Sequence, residues 1–295
     1  MINLYRAELQ KTIGNRWVTG FLLWIFPIGA LGVMVFVSLM ALVLENFAEN
    51  FFDGTPLWTE SMIGVWSMPT NIIGQMFLIG LTVMTFAGEY QWGTWKNIIP
   101  RRRRYALIAV KFLTLGTLVV FAFVVMSIIV GIGGGIVAAA AGLEYGPALS
   151  QDVITEFLRN YSLQAMLAFL TVLITAIYAA FTAMLMRSIL GGALVGLGLI
   201  IIEPIVAFLL MPIAHWLDWN NLLHLIRFTP TYNINNIYSW SRFDEPSLMF
   251  SGVFEAGGLS ISADSLAFSL VVLTAWVTVG IGLILLLFER QDISS

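Results

Sequence analysis

The stretch FLTLGTLVVFAFVVMSIIVGIGGGIVAAAAGL at residues 112–143 contains no Asp, Glu, Lys or Arg. A membrane-spanning helix needs about 20 apolar residues to cross roughly 30 Å of hydrocarbon, so this stretch alone predicts one crossing. Further charge-free runs occur at 17–44, 61–88, 160–186 and 265–288, and a run at 188–217 is interrupted only by Glu203. The sequence therefore predicts an all-α membrane protein with six spans, at about 18–44, 66–88, 105–135, 161–186, 188–211 and 265–288.

The composition of the whole chain agrees with this class. Its 295 residues are 59% hydrophobic and 11% charged, with a mean hydropathy of +0.90 and no cysteine. Water-soluble proteins carry about 25% charged residues, so this chain has too little charge to cover a soluble globule. The net charge of −3 argues against nucleic-acid binding. Without cysteine, the chain has no disulfide and no thiolate chemistry.

The distribution of Lys and Arg predicts the orientation, because short basic loops stay in the cytoplasm. If the N-terminus is inside, only Arg159, Arg227 and Arg242 lie on the outer side. An even number of spans then places both termini in the cytoplasm. The absence of cysteine fits a bacterial or archaeal cytoplasmic membrane. The basic residues at inner ends are Arg6, Lys11, Arg16, Lys96, Arg101, Arg102, Arg103, Arg104, Arg187 and Arg290.

Residues 1–16 form a predicted amphipathic helix that lies in the inner interface. Its apolar residues recur at helical spacing as one stripe, and Arg6, Lys11 and Arg16 can meet anionic lipid head groups. Two roles remain open for this helix, a membrane anchor or a docking surface for a cytoplasmic partner. The stripe consists of Ile2, Tyr5, Leu9, Ile13 and Trp17.

The cytoplasmic loop at 89–104, between the second and third spans, carries the main functional signal. It reads EYQWGTWKNIIPRRRR. Thr94 is a suitable N-cap and Pro100 would stop a continuing helix, so a short helix between them is expected. That helix would expose Trp95, Ile98 and Ile99 beside a basic cluster, which is typical of a protein-docking surface. By themselves, Arg101, Arg102, Arg103 and Arg104 would also serve as topogenic charge.

One pattern in and after this loop consists of Glu89-Tyr90, Gly93-Thr94, Lys96, Pro100, the arginines and then Lys111. It resembles the loop of type-2 ABC transporter permeases. The layout of the whole chain is also similar to that family. The run of four arginines departs from the single arginine that is usual there. The resemblance implies a type-2 exporter fold in which two permeases pair with two cytoplasmic ATPase subunits. Trp95, Lys96, Ile98 and Ile99 match the coupling helix that enters the ATPase, and Glu89 would be available to pair with a nearby arginine.

The chain lacks an ATP site and other catalytic signatures. A Walker A loop needs Gly directly before its Lys, but Lys11, Lys96 and Lys111 follow Gln, Trp and Val. ATP and Mg would therefore bind a separate ATPase polypeptide, and this chain would hold no cofactor. His215 and His224 do not form a zinc motif, and we expect no metal site.

Polar residues within the predicted spans are candidates for the substrate pathway. Glu203 is an acidic residue deep in a span, which is unfavourable unless it is paired, protonated or turned toward water. It could face the pathway at a permease dimer axis, or it could bond a carbonyl freed by Pro204. Asn71 and Gln75 lie one turn apart and should face other helices or the pathway rather than lipid.

Glycines and aromatic residues predict packing features. Gly192 and Gly196 are spaced for close helix packing, and the glycines at 131 and 133–135 indicate a bend or the end of the third span. The outer segment 212–264 is rich in aromatic residues, so we expect short helices that dip into the outer leaflet or fold over the spans. Its aromatic residues could form a lipid-facing belt or a substrate gate.

These features together predict a permease that dimerises, binds a separate ATPase and exports an amphipathic or hydrophobic peptide, drug or lipid. A secondary transporter would need intramembrane ion-coupling groups and often inverted repeats. A membrane-embedded enzyme would need a catalytic cluster, which the sequence does not display. The permease itself would therefore not be an enzyme.

Overall fold

The structure is a computed structural model that describes residues 1–44, 47–52, 54–95, 103–258 and 264–291. Within these ranges 3₁₀ helices occur at Val65–Thr70 and Asn220–Phe228. The α-helices are α1 (Ile2–Gly14), α2 (Arg16–Leu22), α3 (Ile25–Val43), α4 (Phe47–Phe52), α5 (Trp58–Gly64), α6 (Ile72–Gln91), α7 (Arg104–Ala141), α8 (Gln151–Met186), α9 (Ile189–Trp216), α10 (Pro230–Phe243), α11 (Ser251–Ala256) and α12 (Leu266–Arg290).

Six helices of the described chain are long and apolar enough to cross a membrane, namely α3, α6, α7, α8, α9 and α12. Their best windows have mean hydropathies between 1.5 and 2.7. The protein is an all-α multi-pass membrane protein, in agreement with the charge-free runs of the sequence.

The first span is interrupted near its start, whereas the sequence suggested one continuous segment at 18–44. Helix α2 ends at Leu22 and α3 begins at Ile25, so that Pro27 lies in the first turn of α3. Proline lacks an N–H and its ring clashes with the carbonyl four residues earlier, which here belongs to Leu23. A new helix start at Ile25 removes that conflict.

The glycine cluster does not end the third span, contrary to the expected boundary at 135. Helix α7 continues to Ala141 and ends at Gly142, which has a left-handed φ of 69°. The ring of Tyr145 folds back over the cluster, and its hydroxyl donates to the carbonyl of Gly131 at 2.6 Å. A Cβ on Gly134 would lie 2.8 Å from the Tyr145 hydroxyl oxygen, so the glycines make room for this ring.

The chain divides into two compact units. Unit 1 consists of Met1–Leu81 and Ala109–Phe169. Its core contains aromatic side chains, with Phe26 5.0 Å from Phe123 and Trp66 5.8 Å from Tyr161 between ring centroids. Burial of such large apolar surfaces is the main source of packing stability.

Unit 2 consists of Thr82–Ile108 and Leu170–Ser295. The segment for which short helices were expected contains the 3₁₀ helix Asn220–Phe228 together with α10 and α11. Helix α10 packs against α12, and the 3₁₀ helix packs against α9. At the start of α9, a Cβ on Gly192 would lie 2.8 Å from Ala183 Cα, so glycine permits close packing there.

Candidate functional site

The motif at the end of α6 folds as a helix terminus. Gly93 has a left-handed φ of 63°, which glycine adopts without a steric penalty. The N–H of Thr94 then donates to the carbonyl of Glu89 at 3.0 Å. The Thr94 hydroxyl also donates to the Glu89 carboxylate, and Glu89 is only 1% exposed. The Glu-Tyr and Gly-Thr pairs therefore close the last turn of α6 on itself.

The described hydrogen bonds of the Thr94 hydroxyl are donated backward to Glu89. The expected role of Thr94 as the N-cap of a following helix stays a prediction, because the N–H groups that it would accept from lie outside the described residues. The predicted short helix falls largely on Lys96, Asn97, Ile98, Ile99, Pro100, Arg101 and Arg102, which lie outside the described residues. The predicted pairing of Glu89 with an arginine stays a prediction.

Trp95 is buried, which corrects the expectation that it is exposed. Only 1% of its surface is accessible. Its ring lies 4.6 Å from the ring of Phe288 near the end of α12 and 5.9 Å from the ring of Tyr90. The turn at Gly93 directs Trp95 against α12, where burying the indole removes a large apolar surface from water. Trp95 is thus an internal packing residue.

Trp92 is the exposed aromatic residue of this turn, and the sequence analysis did not select it. It is 55% exposed, and one edge of its ring lies over Gly88. Gln91 is exposed as well. The signal that could have identified Trp92 is its position before Gly93, where a helix-ending turn separates it from Trp95.

Arg104 differs from Arg103 because it binds backbone groups. Its Nη1 donates to the carbonyls of Phe288, Glu289 (2.9 Å) and Gln291 (3.3 Å). The guanidinium also lies 5.5 Å from the centre of the Phe288 ring. The last carbonyls of a helix have no partners within the helix and carry a partial negative charge, so a cation stabilises them. Arg103, by contrast, is exposed and donates to the Tyr105 hydroxyl at 3.1 Å.

Gln291 joins the end of α12 to two other helices. Its Nε2 donates to the carbonyl of Met184 in α8 at 2.9 Å, and its Oε1 accepts from the Tyr90 hydroxyl in α6. Gln291 is 7% exposed, so both hydrogen bonds are shielded from water. We call Tyr90, Trp95, Arg104, Phe288 and Gln291 the α12 clamp.

Lys111, the second lysine of the motif, lies in unit 1, where it binds the N-terminal helix. Lys111 Nζ lies 2.7 Å from Glu8 Oε1, and the two side chains are only 3% and 12% exposed. Glu8 lies off the apolar stripe of α1, so the contact with α7 uses a different face of that helix from the stripe. Ile2 and Ile13 on the stripe are 69% and 51% exposed, as suits a helix that rests on lipid.

The basic residues of the N-terminal segment are accessible at its surface. Arg6, Lys11 and Arg16 are all exposed. Their position is compatible with both roles left open for this segment, a lipid anchor and a docking surface.

Glu203 accepts hydrogen bonds from the start of α10. Its Oε1 accepts from the Thr231 N–H at 2.9 Å, and its Oε2 accepts from the Thr231 hydroxyl. A carboxylate at a helix N-terminus satisfies open N–H groups and interacts favourably with the helix dipole. This partner replaces the bond to a carbonyl freed by Pro204 that the sequence suggested. A role in the substrate pathway stays a prediction.

Asn71 and Gln75 both bind the backbone at the start of α6. Asn71 Oδ1 accepts from the Gly74 N–H at 2.8 Å, which is the geometry of an N-cap. Gln75 Nε2 donates to the carbonyl of Thr70 at 2.8 Å. Both side chains therefore have a local structural role, and their proposed place in the pathway stays a prediction.

Among the described residues, no group of three or more His, Asp or Glu side chains could hold a metal ion. The sequence matches no protein-family model and no curated protein. The predicted resemblance to type-2 permeases stays a prediction, which depends on the motif between Glu89 and Lys111 and on the layout of the spans.

Proposed function

We propose that this protein is the permease subunit of an ATP-driven type-2 ABC exporter. It would act as a dimer in a bacterial or archaeal cytoplasmic membrane, with both termini inside. A separate ATPase would bind ATP and Mg and drive an amphipathic or hydrophobic peptide, drug or lipid outward. The observation that carries the proposal is the closed turn at Glu89 and Thr94, which fixes the loop to the end of α6 and presents Trp92 outward.

The burial of Trp95 changes the surface that would meet the ATPase. We infer that Trp92 and Gln91 contact the ATPase directly, together with Ile98 and Ile99, while the buried Trp95 does not. An exposed tryptophan suits a docking surface because it supplies apolar area, and the arginines of the same loop would supply charge-assisted contacts.

The mechanism is alternating access. Nucleotide-driven closure of the ATPases would displace the loop 89–104 on each permease. The displaced loop would tilt the spans between inward-facing and outward-facing arrangements, whose populations shift with nucleotide state. A secondary transporter is less well supported, because the intramembrane acid Glu203 is engaged by Thr231.

The test is affinity purification from the native membrane in mild detergent, followed by photolabelling with 8-azido-ATP. We expect a stoichiometric labelled subunit to co-purify with the wild-type protein and to be lost from Trp92→Glu. Trp219→Glu is the matched control, because Trp219 is also 55% exposed but lies in the predicted outer segment. The proposal fails if no labelled subunit co-purifies with the wild type, or if both variants retain it equally.

A further inference from the structure

The end of α12 is hydrogen-bonded to three other parts of unit 2. Arg104 at the start of α7 binds its terminal carbonyls, Tyr90 in α6 binds Gln291, and Gln291 in turn binds α8 through Met184. Helix C-termini normally leave these carbonyls to water or to local caps. Here they are bound by Arg104, the last residue of the loop 89–104.

The packing under these hydrogen bonds is tight. Trp95 is 1% exposed and Phe288 is 0% exposed, and their rings are 4.6 Å apart between centroids. Well-packed interiors do not deform continuously, so a shift of one side chain displaces its neighbour or breaks the contact. A displacement of the turn that carries Trp95 must therefore move the end of α12 or separate it from Phe288.

We propose that the α12 clamp transmits movement of the loop 89–104 to α12, the last membrane span. This inference rests on the proposed function, and it adds a route beyond the two helices that the loop joins covalently. Arg104 and Gln291 are then positioning residues, which connect the loop to α12 instead of contacting the ATPase. Trp92 on the outside receives the force and Trp95 on the inside passes it on.

The experiment uses the complete complex of permease and ATPase in nanodiscs. Hydrogen exchange is measured with and without trapping of the ATPase by Mg-ATP and vanadate. In the wild type, we expect trapping to change exchange in both 89–95 and 284–291. In the double variant Arg104→Gln, Gln291→Ala, we expect the change in 89–95 to remain and the change in 284–291 to be lost. Without nucleotide, exchange at 284–291 should rise about fivefold through loss of hydrogen bonds.

Arg290→Gln is the matched control, since Arg290 is an exposed residue at the same end of α12. It should keep the wild-type response in both segments. Gln291→Ala alone provides a milder variant if the double variant does not fold, and it should reduce the response of 284–291 at least in part.

The outcomes separate this inference from the proposed function. If no ATPase binds the wild type, both fail. If the ATPase binds and 89–95 responds, but 284–291 shows no response in the wild type, only the inference fails. It fails equally if 284–291 responds in the double variant, or in Gln291→Ala, as strongly as in the wild type.

Discussion

The two ends of α12 are held by similar residues in different ways. At each end an arginine lies over a phenylalanine of α12, with Arg227 5.2 Å from the Phe268 ring centre and Arg104 5.5 Å from that of Phe288. Arg227 pairs with the carboxylate of Asp264, whereas Arg104 binds backbone carbonyls. Both arrangements suit the helix dipole, which favours an anion before the first turn and a cation after the last.

The contacts at the first end of α12, its N-terminus, converge on one acidic residue. Asp264 is 4% exposed and accepts hydrogen bonds from Arg227 Nε at 2.8 Å and from the Tyr232 hydroxyl at 2.6 Å. Its carbonyl accepts from Asn236 Nδ2 at 3.0 Å and from Trp240 Nε1 at 2.8 Å. The hydrogen bond to the Asp264 carboxylate raises the pKa of Arg227, so this arginine stays cationic. This end is a fixed attachment of α12 to α10 and the preceding 3₁₀ helix.

The contacts at the second end of α12, its C-terminus, are made to neutral acceptors. The carbonyls bound by Arg104 and the amide of Gln291 carry no formal charge, so exchanging one of these hydrogen bonds for water costs less than breaking a buried ion pair. The N-terminal end of α12 is therefore suited to stay in place, and the C-terminal end is suited to be moved.

The largest expected effect is that of Trp95→Ala at the second end. Removal of a fully buried tryptophan should lower the free energy of unfolding by about 4 kcal/mol, because it leaves a cavity against Phe288. Thermal unfolding in detergent measures this loss. Trp92→Ala is the matched control and should change stability by less than about 0.5 kcal/mol, since Trp92 is 55% exposed. Equal losses would contradict the assignment of Trp95 as the internal residue.

Asp264→Asn tests the fixed end and should cost about 3 kcal/mol, because it leaves the charge of Arg227 without its buried partner. Asp244→Asn is the control, since Asp244 is exposed and its left-handed φ of 57° is well tolerated by asparagine. Denaturant titration of both variants gives the difference. A loss for Asp264→Asn below that of the Arg104 variants would reverse the ranking of the two ends.

Much of the membrane architecture could be predicted from sequence, because lipid imposes a composition on every span. The charge-free runs therefore locate the six helices. Their interruptions are harder to predict. Pro27 is a recognisable signal for the break before α3. The glycines of α7 fit either a helix end or the close approach of another side chain to the helix. The ring of Tyr145, which distinguishes the two, comes from beyond the end of the helix.

The candidate site was predicted less completely. The motif identified Glu89 and Thr94, whose interaction is local in sequence. The burial of Trp95 depends on Phe288, a residue far along the chain, and no local pattern reveals that contact. The Thr231 partner of Glu203 also lies farther along the chain, in α10, and the helical pattern of α9 does not reveal it. A lone acid in a span signals that a partner exists without identifying it.

Two substitutions of Arg104 test which of its properties stabilises the C-terminal end of α12. Arg104→Gln should cost about 1.5 kcal/mol, because charge-assisted hydrogen bonds to the last carbonyls are lost. Arg104→Lys keeps the cation but not the planar group that stacks on Phe288, so we expect it to recover only part of that loss. Hydrogen exchange at 284–291 in the isolated permease should rank the variants in this order. Full rescue by lysine would show that charge alone holds this end.

The smallest expected effect is the coupling between Tyr90 and Gln291. Tyr90→Phe and Gln291→Ala should each cost about 1 kcal/mol, with the larger loss for Gln291 because it also donates to the Met184 carbonyl. In the Gln291→Ala background, the Tyr90 hydroxyl has lost that acceptor, so its removal should cost little or nothing. The double-mutant cycle should give an interaction energy of about 0.5–1 kcal/mol from thermal unfolding. Strict additivity would mean that the two side chains act separately, and the end of α12 would then be attached to α6 only through Trp95 and Phe288.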